Sequence, residues 1–206
     1  YYLDQHPGIT MSSIKEPNFF VFDHSTTPPA PLIDPASSIV TKSVRDRRAY
    51  EALFDHAGPG DVLGEASPLY LYVRDAPEQI ENVLGRDCRF VAVLRNPIDR
   101  AYSHHLHIHR SAADEAVASF RAACEREIAE GRGYTPYASG THVLRLGLYD
   151  EQLERYTRRF GDRSMLVLPY EAVVRDPQPQ LDRVCDHVGA DRFTFDTDVQ
   201  YNRSGV

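Results

Sequence analysis

Arg89-Phe90-Val91-Ala92-Val93-Leu94-Arg95-Asn96-Pro97-Ile98-Asp99-Arg100-Ala101-Tyr102-Ser103-His104-His105 decides how the rest of the chain is read. Phe90 to Leu94 is an unbroken apolar run of strand length, which predicts a strand buried on both faces, as in a parallel sheet. Pro97 falls where a first helical turn tolerates proline, with Asn96 before it as the cap and Asp99 in the first turn. Arg95 is therefore expected at the carboxyl end of the strand and Ser103 about two turns into the helix. Open parallel sheets bind ligands at that edge, where helix N-termini present unpaired N–H groups to anions. A guanidinium and a hydroxyl there read as a phosphate grip. The competing reading is structural: Arg95 pairs with Asp99, and Ser103 fills a helix.

The 206 residues suit one domain with a substantial core. A composition 42% hydrophobic and 26% charged is that of a soluble globular protein, and no apolar run has bilayer-spanning length. Cys88, Cys124 and Cys185 are widely spaced and read as reduced thiols. A net charge of −7 argues against a general nucleic-acid binder, so an anion site has to be local. Of 23 cationic residues only Lys15 and Lys42 are lysines, leaving 21 arginines.

Outward from the deciding stretch, Ile9 to Ile14 has strand character and leads into Lys15-Glu16-Pro17-Asn18-Phe19-Phe20-Val21-Phe22. On composition alone, Lys15 and Glu16 read as a surface pair ahead of a buried aromatic segment. Residues 23–44 are proline-rich without a period and read as a long loop of the kind that forms lids or binding segments, to which part of the substrate specificity is assigned. A helix is expected over Arg47 to His56, closed by Gly58-Pro59-Gly60. In Gly64-Glu65-Ala66-Ser67-Pro68, the residues by themselves allow Ser67 to be a cap for the chain before the proline. A short helix is expected from Pro77 to Leu84 and a polar, solvated one from Asp114 to Glu130. A further buried strand is expected from Ser164 to Leu168, and an amphipathic helix at Leu181, Val184, Cys185 and Val188. His104, His105, His107 and His109 lie at helical spacing without a matching carboxylate, so no metal site is assigned to them.

The segment from Leu94 to His104 resembles the 3′-phosphate-binding segment of the sulfotransferases that use 3′-phosphoadenosine 5′-phosphosulfate (PAPS). By that resemblance Arg95 and Ser103 hold the 3′-phosphate of the nucleotide. His6-Pro7 followed by Lys15 to Phe20 resembles the family's "HP…KEPHFF" segment, which makes Glu16 the general base and puts Asn18 where carbohydrate-type members carry a histidine. Gly64 to Tyr70 resembles "GEKTPxY"; Ala66 stands in place of an active-site lysine, and Ser67 keeps the hydroxyl for the acceptor. The order of apolar and aromatic residues from Leu144 to Val188 resembles the carboxyl half of bacterial and Golgi-type members.

The resemblance implies a three-layer α/β fold with a mostly parallel sheet, similar in topology to P-loop kinases. It implies a single domain over residues 1–206, no metal, and a carbohydrate-like or natural-product acceptor bearing a hydroxyl or amine. It also implies a first strand and phosphosulfate loop of the form P-K-x-G-[ST]-[ST] ahead of Tyr1, so the chain is expected to be a fragment that binds PAPS weakly by itself. Two alternatives stay open: a nucleotide or nucleoside kinase of the same fold, and a non-catalytic binding module. The arginine bias and the absence of a disulfide pattern favour a bacterial cytoplasmic enzyme, with a Golgi-type anchor upstream as the other possibility. Asn202-Arg203-Ser204 reads as an incidental glycosylation sequence.

Overall fold

The computed structural model describes residues 1–108, 113–131, 134–137 and 142–198. In chain order the strands are β1 (Ile9–Met11), β2 (Phe22–Asp23), β3 (Ala30–Pro31), β4 (Val62–Gly64), β5 (Phe90–Leu94) and β6 (Met165–Pro169). The helices are α1 (Ser38–Lys42), α2 (Arg47–Glu51), α3 (Leu69–Tyr72), α4 (Ala76–Leu84), α5 (Pro97–Ile108), α6 (Ala113–Glu130), α7 (Tyr149–Phe160), α8 (Tyr170–Arg175) and α9 (Pro177–Val188). β1 pairs with β4 in parallel, Ile9 opposite Val62, and β5 pairs with β6 in parallel, Phe90 opposite Met165 and Leu94 opposite Pro169. β2 and β3 form a short antiparallel ribbon. The fold is α/β with parallel pairing, as expected, divided among three two-stranded sheets.

Local chemistry explains the boundaries. The Asn96 side-chain oxygen accepts from the Ile98 N–H at 2.9 Å, so the cap expected ahead of Pro97 is formed. Asp46 caps α2 through the Ala49 N–H at 2.9 Å, and the helix tightens into a 3₁₀ turn over Ala52–Phe54, short of the expected end at His56. α7 has Asp150 and Glu151 in its first turn and Arg158 and Arg159 in its last, the polarity that its dipole favours. Gly161 then stops it at φ 87°.

Two expectations change. β5 has the predicted bounds but is not buried on both faces: Val91 is 39% and Val93 48% exposed. Among the described residues the strand pairs only with β6, and Val91 and Val93 stay open to solvent. Residues 23–44 are a packed segment with structure of its own. They contain β3 and α1, and Ile33 and Val40 are buried with Val21, Phe22, Tyr72 and Val73. Burial of apolar residues scattered between prolines overrides the loop-like composition.

The most enclosed stretch is Phe19-Phe20-Val21-Phe22, at most 2% exposed. It serves two clusters. Phe19 and Phe20 pack with Tyr50, Leu53, Ile80 and Tyr156, whereas Val21 and Phe22 join the cluster of Ile33, Tyr72 and Val73. The Phe19 ring lies flat between Tyr50, at 4.3 Å, and His24, at 3.9 Å.

A polar layer lies outside these clusters. Arg145 is buried and bonds Glu130, Thr135 and the Gly131 carbonyl, while the His142 ring, 4% exposed, shares Thr135 and sits against Tyr72 and Tyr137. Burial, aided by the Arg145 charge, pushes His142 down to about 4; burial and Arg100 do the same to His104. The unfolded chain binds these protons near pH 6.5 and the folded chain does not, so folding stability falls as pH drops from 6.5 toward 4. His142 should contribute about 1.4 kcal/mol per pH unit to that slope. Urea unfolding at several pH values checks this: His142→Gln should flatten the profile partly, and an unchanged slope would contradict the assignment.

Candidate active site

The site residues fall into two groups, each following a parallel strand. Arg95 comes directly after β5, and its guanidinium lies over the ring of Tyr170, the first residue of α8, 5.4 Å from the centroid. Next to it the Asn96 N–H donates to Glu171 at 3.3 Å, tying the start of α5 to α8. Among the described residues no carboxylate lies within 4 Å of Arg95, so the structural alternative, a pair with Asp99, is not formed. Ser103 is half-buried in the second turn of α5, and among the described residues its hydroxyl has no partner. Arg95 and Ser103 are thus on the same strand–helix junction, and among the described residues no hydrogen bond joins them. Arg100, one turn before Ser103, faces inward: it donates to the Val143 carbonyl and to Tyr149. Burial raises the Tyr149 pKa and Arg100 opposes the rise. Tyr149 is therefore a packed tyrosine within reach of the Arg95 charge.

The second group is built on the turn after β1. Glu16 is exposed, 3.9 Å from Lys15 Nζ, and has φ 53°; Asn18 has φ 50°. A left-handed glutamate before a proline is unusual on steric grounds, and such strain concentrates at functional positions. The Asn18 amide nitrogen donates to the Glu16 carbonyl at 2.8 Å, closing the turn. Asn18 itself is buried, and its N–H donates to Ser67 Oγ at 3.1 Å. Ser67 is also buried and donates to Glu65 Oε2 at 2.7 Å. Its hydroxyl is thus committed within the protein on both sides.

Glu65 and Tyr170 carry no role in the sequence reading. Glu65 follows β4 and accepts from Ser67, Tyr70 at 2.8 Å and Tyr50 at 3.3 Å; burial holds its pKa above the ordinary carboxylate range against those three bonds. Its sequence signal is its place in Gly64-Glu65-Ala66-Ser67-Pro68, the segment that resembles "GEKTPxY". Tyr170 gave none, because its role comes from the parallel register of β5 with β6. Among the described residues no group of His, Cys, Asp and Glu could hold a metal ion. His105 is buried against Ser119 and Phe120, while His109 and the Asn202–Ser204 sequence lie outside the described residues.

Parallel strand pairs, with a charged residue at the end of β5 and a capped helix after it, make this an α/β protein. Residues 76–199, more than half of the chain, match the sequence model of the sulfotransferase domain, and the chain belongs to that family. Arg95, Ser103 and Tyr170 lie inside the matched residues; Glu16, Asn18 and Ser67 lie before them. The chain is 29% identical over 153 residues to human heparan sulfate glucosamine 3-O-sulfotransferase 6, covering 74% of this chain and 42% of that protein. It is 26% identical over 155 residues to human heparan sulfate glucosamine 3-O-sulfotransferase 3B1, covering 75% and 38%. It therefore spans about two fifths of the length of these relatives. The crystal structure of a sulfotransferase from Alicyclobacillus acidocaldarius superposes with a TM-score of 0.78 at 28% identity, over 98% of this chain and 79% of that one.

Proposed function

We propose that this domain takes part in sulfuryl transfer from PAPS to a hydroxyl or amine of a carbohydrate-like or natural-product acceptor. The observation that carries the reading is Arg95: a guanidinium without a carboxylate partner among the described residues, held over Tyr170 at a strand end within the family-matched region. A planar, uncommitted cation fits the 3′-phosphate that distinguishes this donor from ATP, with the Ser103 hydroxyl as a second donor from α5. PAPS, when bound, supplies the activated sulfuryl group. On the acceptor side, Glu16 removes the proton of the attacking group, and its exposure leaves the carboxylate open to an incoming substrate. Asn18 and Ser67 sit beneath it and shape the floor of that side. A groove of about 590 Å³ lies between Leu32, Asp34, Arg74 and Tyr134, on the 23–44 segment to which part of the acceptor specificity is assigned. Family membership favours this reading over the nucleotide kinase. The resemblance of 3-O-sulfotransferases over three quarters of the chain supports a sugar acceptor.

Among the described residues no helix is long and apolar enough to cross a membrane. We read the domain as working in solution on a small-molecule or glycan acceptor and not on nucleic acid, given its net charge of −7. Thermal-shift competition tests the donor: 3′-phosphoadenosine 5′-phosphate should raise the melting temperature at concentrations where ATP has no effect. A larger shift with ATP would overturn the PAPS reading and restore the kinase alternative.

A further inference from the structure

We propose that Glu65 is a positioning residue: through the hydroxyls of Ser67 and Tyr70 it clamps the backbone of the Glu16 turn and so fixes where the Glu16 carboxylate stands. The inference rests on the reading of Glu16 as the base, and nothing in that reading assigns Glu65 a part.

The geometry is a two-armed relay. In one arm the Asn18 N–H donates to Ser67 Oγ at 3.1 Å, and the Ser67 O–H donates to Glu65 Oε2 at 2.7 Å. In the other the Phe20 N–H donates to the Tyr70 hydroxyl oxygen at 3.3 Å, and that hydroxyl donates to Glu65 Oε1 at 2.8 Å. Each hydroxyl accepts from a backbone amide with its lone pair and passes its own proton to one carboxylate oxygen. Tyr50 adds a third donor at 3.3 Å. A hydroxyl has a single proton, so giving it to a carboxylate commits the oxygen to act as acceptor toward the backbone. A carboxylate also makes both acceptor arms stronger than a neutral group would.

The target of the clamp is the segment that needs one. Glu16 and Asn18 are the two non-glycine residues with positive φ in the described chain, and a strained turn persists only where its surroundings over-determine it. Three further contacts complete the hold: Asn18 Nδ2 on the Glu16 carbonyl, the Val44 N–H on the Pro17 carbonyl at 2.9 Å, and the Val21 N–H on the Asn18 carbonyl at 3.3 Å. Glu16 projects from the one part of the turn that faces solvent. A turn that relaxes would therefore carry the carboxylate with it, and misplacement of a base by an ångström is enough to lose rate.

Amide hydrogen exchange in the full chain, without donor or acceptor, tests the clamp independently of catalysis. Ser67→Ala should speed exchange at Asn18 about tenfold while the amides of β5 keep the parental rate, and Ser67→Thr should restore it. Glu65→Gln, which keeps the shape but replaces one acceptor oxygen by a donor, should speed exchange at Asn18 or Phe20. If it fails to fold, the Ser67 pair decides alone. Sulfuryl transfer is then read in the same variants. Ser67→Ala should lower kcat at unchanged KM for PAPS, with recovery in Ser67→Thr, which a general loss of stability would not give. Parental exchange at Asn18 in Ser67→Ala overturns the proposal, as does faster exchange with parental kcat where Glu16→Gln is impaired. Parental turnover in Glu16→Gln would sink the base assignment by itself and would leave the exchange rates to decide the clamp.

Discussion

Replacing Glu16 with glutamine should lower sulfuryl transfer by about 10²- to 10⁴-fold while leaving the affinity for 3′-phosphoadenosine 5′-phosphate unchanged. The amide keeps the size and the exposed position of the side chain but cannot take a proton from the acceptor. Among the described residues Glu16 pairs with Lys15 alone, 3.9 Å away and 81% exposed, so the pair itself contributes little to stability, and folding should be indifferent to the change. The two quantities separate the roles: turnover measured under donor saturation, and nucleotide affinity measured by calorimetry. Parental turnover in the variant would move the base elsewhere, and a fall in nucleotide affinity would place Glu16 against the donor.

The second large effect belongs to Arg95. Arg95→Ala should weaken binding of the same nucleotide about 10- to 150-fold, the factor for losing a hydrogen bond to a charged group. ATP, which lacks the 3′-phosphate, should bind the variant and the parent alike. Arg95→Lys should recover only part of the loss, because an ammonium offers no planar fork and stacks less well over Tyr170. Equal nucleotide affinity in Arg95→Ala and the parent would remove the donor assignment.

The junction carrying Arg95 was legible because each of its signals is local. Five consecutive apolar residues, a capping asparagine and a proline at the first helical position fix β5 and the start of α5 within a few residues. What could not be read was how much of the strand would be covered, since that depends on which strands neighbour it and not on its own composition. The 23–44 segment misled for a related reason. Its prolines disguise Ile33 and Val40, whose burial depends on Tyr72 and Val73, some thirty to forty residues on. In the candidate site, Glu16 and Asn18 came from a resemblance between motifs, and the strain in their turn has no sequence signature of its own. Glu65 was in plain view within Gly64 to Pro68. A half-buried acid is ordinarily costly in an apolar setting, and only the three hydroxyls gathered around it show why it is tolerated.

The aromatic run from Phe19 to Phe22 belongs to both main clusters, and the Glu16 turn is joined to it without a spacer. Loosening that turn far enough to free Phe19 and Phe20 therefore means dissolving the whole cooperative unit, whereas Arg95 sits at the rim of a two-stranded pair with one face open. Under rising denaturant the two halves of the candidate site should part company: the Arg95 junction loses its shape first, and the Glu16 turn persists until the protein as a whole gives way.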